Sequence, residues 1–213
     1  MALFVKRPNI GDTANLYTVG EEKKLLIVGL GNIGKEYIGT RHNIGFEVLD
    51  YFAGKQGFPD WVVNKDRKCA ETSLTIGSSR VYLCKPTTFM NLSGEAVQAM
   101  QHFYKIANSS TLAVYDEVDV DFSQIRTRKG GSAAGHNGVK SLITHCGEDF
   151  GRLRVGVGPK KPAQMDLADF VLSKFTKAQS AELSLLLTES NSLLSEYAHS
   201  GGQLLEETRA FIF

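Results

Sequence analysis

Along this chain, short unbroken apolar runs alternate with stretches in which apolar residues return every third or fourth position. Residues 24–30 (KLLIVGL) form the first run, closed by glycines, and its continuity predicts a strand buried on both faces. Asn43 then stands where it can cap a helix whose apolar positions are Ile44, Val48, Leu49 and Phe52, ending near Gly54. A short strand is predicted over 81–84, stopped by Pro86, and a helix over 93–107 with Val97, Met100, Tyr104 and Ala107 on one face. Residues 111–115 (TLAVY) read as a third buried strand, and Asp116 to Asp119 as the loop at its carboxyl end. After a glycine-rich turn, a helix over 139–146 turns Val139, Leu142, Ile143 and Cys146 inward. Residues 152–157 alternate strictly, with Leu153, Val155 and Val157 on one side, as a half-buried strand does. Asp166 caps a short helix running to Phe175, and Thr176-Lys177-Ala178-Gln179 has the form of a capping box opening a long last helix. Strands alternating with helices predict an α/β architecture: a single domain from residue 23 to 213, with a twisted mixed, largely parallel sheet flanked by helices. In such sheets chemistry gathers at the carboxyl ends of the strands.

Composition changes this picture little. With 213 residues, 42% of them apolar and 22% charged, the chain can bury a core without metal or disulfide staples. Cys69, Cys84 and Cys146 are widely spaced and odd in number, so neither a disulfide framework nor a zinc site is suggested, and Cys84 reads as a small core residue. No apolar run approaches the roughly 18–20 residues of a membrane span. Residues 1–22 lack the apolar core of a signal peptide and read as a partly ordered N-terminal extension; the compartment implied is reducing and cytoplasmic.

Charge is informative only in its distribution. The net value is +1, but residues 126–161 carry 8 basic side chains (Arg126, Arg128, Lys129, Lys140, Arg152, Arg154, Lys160 and Lys161) against 2 acidic ones. Such a stretch on a near-neutral chain is either a solvated face or a phosphate site.

Three loops hold the candidate chemistry. Gly29-Leu30-Gly31-Asn32-Ile33-Gly34 follows a strand and matches the dinucleotide fingerprint, but Gly34, Gly39 and Thr40 open a helix poorly, and Asp50 falls inside a helix rather than at the end of a second strand. Beyond it lies a polar cluster of Asn32, Tyr37, Thr40, Arg41, His42 and Asn43. The second loop, 85–94 (KPTTFMNLSG), holds Phe89, Met90 and Asn91, which serve equally well as core residues and a helix cap. The third, Asp116-Glu117-Val118-Asp119, offers three carboxylates with no histidine nearby in sequence, a set that would suit a magnesium-type ion. A glycine-rich turn, Gly130 to Gly138, then leads into a helix amino terminus of the kind that accepts anions.

Taken in order, the stretches GLGNIGKEYIGTRHNIGF, KPTTFMNLSG, YDEVD, GGSAAGHNGVKSL and FGRLRVGVG resemble the successive motifs of the bacterial-type peptidyl-tRNA hydrolases, over about residues 25–175. The resemblance implies an esterase that frees tRNA from peptidyl-tRNA, with no cofactor, no metal and no obligate protein partner. It implies His42 as general base with Asp116 as its partner, the arrangement that ester hydrolysis by water at neutral pH calls for. It implies that Asn32 distinguishes N-blocked from free aminoacyl groups and that Asn91 holds substrate and water. Tyr37, Phe89 and Asn137 fall on positions that contact the acceptor end or the peptide, and Arg128 and Arg154 on positions that clamp the 5′-phosphate of tRNA. The chain departs from the family pattern at Ile33 (usually proline), Tyr115 (often histidine), Asp121-Phe122-Ser123 (a turn usually rich in proline and glycine) and Ala134 (usually glycine). The altered turn puts the Arg126 and Arg128 register in question. A non-catalytic RNA-binding relative of the same fold is the alternative, and a nicotinamide enzyme a more distant one.

Overall fold

The apolar run of the first motif forms β1 (Lys23–Gly29), with Leu25 to Val28 fully buried, at the centre of an eight-stranded sheet. The computed structural model describes residues 22–160 and 162–210; nearly all of the expected N-terminal extension, and Lys161, lie outside them. The other strands are β2 (Val62–Asn64), β3 (Cys69–Ile76), β4 (Ser79–Pro86), β5 (Thr111–Asp121), β6 (Gln124–Lys129), β7 (Gly151–Gly158) and β8 (Thr208–Ala210), in the order β2-β3-β4-β1-β5-β7-β6-β8. The four central strands, β4-β1-β5-β7, are parallel, and antiparallel strands finish both sides. Helices α1 (Ile44–Gln56), α4 (Leu167–Leu172) and α5 (Lys177–His199) bury their apolar residues with one face of the sheet. Helices α2 (Ser93–Tyr104) and α3 (Asn137–Cys146) cover the other. No helix among the described residues is long and apolar enough to cross a membrane.

Several expectations are corrected. The third strand continues six residues past Tyr115, so Asp116 to Asp119 belong to β5 itself, whose register against β7 shifts between Glu117 and Asp121. β7 is covered on both faces rather than half-buried: Arg152 is only 2% exposed, with its guanidinium donating to the carbonyls of Gly131 and Ser132. Helix α1 passes Gly54 and stops at Gly57, where φ is 75°. Helix α2 ends at Tyr104, with Lys105 at φ 55°, and α4 ends at Leu172. The Thr176–Gln179 capping box is present as expected. Strands β2, β3, β6 and β8 lack a simple apolar pattern because they sit at or near the sheet edges.

Gly29, the first glycine of the dinucleotide-like pattern, serves packing: a Cβ there would lie 2.4 Å from the Gly45 carbonyl of α1. A Cβ on Gly45 would lie 2.4 Å from the Val114 carbonyl and 2.6 Å from the Leu30 backbone, so glycine there lets the start of α1 rest directly on the ends of β1 and β5. The chain between β1 and α1 makes only two short 3-10 turns, Lys35–Tyr37 and Arg41–Asn43. The second of these carries His42 over the end of β5.

Candidate active site

A cavity of about 710 Å³ opens over the carboxyl ends of the parallel strands. Asn32, His42, Phe89, Asn91, Asp116 and Asn137 all line it. Tyr37 does not, and Arg128 and Arg154 line a separate groove with Arg126 at the β6–β7 edge.

Asp116 is the buried anchor. Its side chain is 2% exposed, and its Oδ1 accepts hydrogen bonds from two imidazoles, His42 Nδ1 at 2.8 Å and His136 Nε2 at 3.0 Å. Burial alone would push this carboxyl up. The attraction and hydrogen bonds of His136 and His42 outweigh it, holding Asp116 below the usual carboxylate range. With Nδ1–H of His42 committed to Asp116, its Nε2 keeps the lone pair, and the ring lies on the cavity wall.

His136 is the residue that sequence reasoning passed over. It caps α3 through Nδ1, which accepts the backbone N–H groups of Gly138 at 3.1 Å and Val139 at 3.3 Å. Nε2 therefore bears the proton and donates to Asp116. The only signal in the sequence was a histidine closing a glycine-rich turn just before a predicted helix. Two histidines distant in sequence thus meet Asp116: His42, as the resemblance implies, and His136, which the glycine-rich turn folds back over β5. Nor do the three carboxylates form an oxygen site: Asp116 takes the imidazoles, Glu117 pairs with Arg154 at 3.7 Å, and Asp119 is exposed. Among the described residues the one set with metal-ligand spacing is His42, Asp116 and His136. The cap on α3 leaves His136 Nε2 without a lone pair for a cation, so this set does not fit a metal ion.

The amides are fixed as firmly. Asn43 does not cap α1; its Oδ1 accepts Asn32 N–H at 2.8 Å and its Nδ2 donates to the Asn32 carbonyl at 2.9 Å. Asn32 Oδ1 in turn accepts Met90 N–H at 2.9 Å, which leaves Asn32 Nδ2 as a donor for the cavity. Asn91, on the turn Met90–Leu92, is exposed on the cavity wall. Opposite stand the apolar side chains of Leu167, Val171 and Leu172, and Phe89 lies 60% exposed on the lining.

The family departures leave this frame intact. Tyr115 packs edge-on against His136, ring centroids 4.9 Å apart. Ala134 adopts φ 43°, a left-handed conformation that costs an alanine roughly 1–2 kcal/mol and explains why glycine is usual there. The turn after Asp121 is held by Phe122 N–H donating to the Gly158 carbonyl, so the register question resolves: Arg126 pairs with Arg154 and Arg128 with Arg152.

Comparison with known proteins agrees with this geometry. The family model described as peptidyl-tRNA hydrolase matches residues 26–210. The chain is 46% identical over 164 residues to the peptidyl-tRNA hydrolase of Rhizobium meliloti (strain 1021), covering 76% of this chain and 67% of that protein. It is 44% identical over 172 residues to that of Exiguobacterium sibiricum, covering 80% and 91%. The crystal structure of peptidyl-tRNA hydrolase from Acinetobacter baumannii superposes with a TM-score of 0.77 at 32% identity, over 84% of this chain and 90% of that one. The chain belongs to the peptidyl-tRNA hydrolase family.

Proposed function

We propose that this chain hydrolyses the ester joining a peptide, or another N-blocked aminoacyl group, to the 3′ end of tRNA, and so returns tRNA to translation. The observation that carries the reading is His42, held at Nδ1 by Asp116, with Nε2 available to a cavity flanked by amides. Nε2 takes a proton from water as the oxygen attacks the ester carbonyl, and Asp116 stabilises the imidazolium that forms. The proton then passes to the departing ribose oxygen. No serine, threonine or cysteine lines the cavity among the described residues, so direct attack by water is the simplest course.

Asn91 supplies an amide that can donate to the developing oxyanion. Asn32 Nδ2 suits the carbonyl of an N-acyl group and opposes the α-ammonium of a free aminoacyl-tRNA, since two donors then meet. Phe89 and Asn137 flank the peptide, while Tyr37, off the lining, is left to the acceptor end. Release of acetylamino acid from N-acetylaminoacyl-tRNA, with free aminoacyl-tRNA spared, tests the reading. Binding of tRNA without cleavage would establish the RNA-binding alternative instead. This activity and the free thiols of Cys69, Cys84 and Cys146 fit a cytoplasmic setting. Hydrolysis should persist in excess EDTA, because the imidazoles carry protons where a cation would need lone pairs; loss in chelator with rescue by a divalent ion would refute that.

The second groove, lined by Arg126, Arg128 and Arg154, is assigned to the 5′-phosphate of tRNA. Arg126 and Arg154 face one another across β6 and β7, with Glu117 beside Arg154 and Glu206 and Glu207 also on the groove, and the three guanidinium forks there offer donors to a phosphate. Arg128→Ala and Arg154→Ala should raise KM with kcat little changed, because a contact remote from the ester binds ground and transition states alike. Each should flatten the dependence of log affinity on log salt by about 0.7–0.9. Losses that add when the arginine and the 5′-phosphate are removed together would mean the two do not meet.

A further inference from the structure

Arg41 stands beside the base, yet it faces away from the cavity and is 4% exposed. Among the described residues no carboxylate pairs with it. A buried charge left so needs another form of compensation, and Arg41 finds it in one short segment. Its Nη1 donates to Ser173 Oγ at 2.7 Å, the Ser173 carbonyl at 3.3 Å and the Lys174 carbonyl at 2.6 Å. Its Nη2 donates to Gln179 Oε1 at 2.8 Å, the same atom that accepts Thr176 N–H in the capping box of α5. The guanidinium carbon lies 4.5 Å from the centre of the Phe170 ring and 5.3 Å from that of Phe175. Arg41 N–H donates to the Ser173 carbonyl at 3.1 Å, and Thr40 forms a bridge with Lys174.

What this fork grips is the far wall of the cavity. The held residues follow directly on α4, whose Leu167, Ala168, Val171 and Leu172 line the space opposite the amides. At its other end the wall is tied more lightly, through Lys160 Nζ donating to the Met165 carbonyl. Arg41 and His42 share one 3-10 turn, so the wall and the base are joined through a single rigid piece of chain. We propose that Arg41 is a positioning residue of the hydrolysis: by holding α4 against the turn that carries His42, it sets where a peptide lying along Leu167, Val171 and Leu172 stands relative to the base. This rests on the function proposed above. A planar fork suits the task, since it fixes direction as well as distance, whereas a lysine in its place offers one point of attachment.

The test compares two substrates, N-acetylaminoacyl-tRNA, whose acyl group is short, and an N-acetylated tripeptidyl-tRNA, whose peptide reaches α4. In Arg41→Met, which keeps the apolar stem and removes the donors, KM for the tripeptidyl substrate should rise about tenfold and for the short one less than about twofold, in keeping with the sensitivity of rate to small misplacement. Arg41→Lys should fall between Arg41→Met and wild type. Ser173→Ala, which removes one acceptor from the other side, should move KM in the same sense by a smaller factor, and it serves if Arg41→Met does not fold. Equal KM factors for the two substrates in folded variants, or no change in either, would overturn the proposal. Wild-type protein that cleaves neither substrate would instead overturn the proposed function itself.

Discussion

His42→Ala should lower kcat by about 10²–10⁴-fold, the usual contribution of a positioned general base, while the protein keeps its fold. The ring belongs to neither apolar cluster, and its structural neighbours have their own anchors: Arg41 on the 173–179 segment and Asn43 on Asn32. Removing the imidazole takes away one of the two donors to Asp116 Oδ1 and leaves His136 in place. KM should change little, since the binding amides and the apolar wall remain. Turnover near wild type from a folded His42→Ala protein would sink the assignment of the base.

Asp116 offers a finer dissection, because both imidazoles donate to the same oxygen. Asparagine with its Oδ1 in that place retains both hydrogen bonds and both tautomers and loses only the charge. Asp116→Asn should therefore lower kcat by about 10²-fold, and Asp116→Ala, which also releases the ring orientation, by about 10³–10⁴-fold. Equal losses in the two variants would mean that the hydrogen bonds do nothing beyond what the charge does. The same group links stability to acid. Its folded-state pKa is depressed, so its contribution is whole above the unfolded value near 3.8 and is lost progressively as pH falls below that toward the folded value. The stability gap between wild type and Asp116→Asn should accordingly close as pH falls below about 3.8 toward the folded value, as followed by denaturant unfolding at each pH.

Local signals carried the central elements. An unbroken apolar run is what a strand covered on both faces requires, so β1 was legible, and a threonine and glutamine three apart were enough for the start of α5. His42, Asp116, Asn32 and Asn91 were legible through motif order, and the structure places all four on one cavity. What sequence could not supply were pairings between distant segments. Asn43 looked like a cap because capping is a local rule, yet its amide is spent on Asn32 across the loop. His136 was passed over inside a glycine-rich turn; it caps α3, and its second nitrogen reaches a carboxylate on another strand. Arg41 read as part of a polar cluster, and only the docking of the 173–179 segment shows that it is buried. The edge strands escaped notice because they sit at or near the margins of the sheet, where fewer of their residues must be apolar.

The place of β1 in the sheet bears on how the protein is made. It is the first of the described strands to emerge from the ribosome, yet both of its neighbours, β4 and β5, come much later, and its partner residues on β5 begin only at Thr111. At about 5–20 residues per second, several seconds of synthesis separate the appearance of Leu25–Val28 from the arrival of their last partners. For that interval a strand with four consecutive buried apolar residues has no sheet to join and is a target for chaperones and for aggregation. A lesion in β1 would then be felt in how much enzyme is recovered, with the molecules that do fold hydrolysing at the ordinary rate.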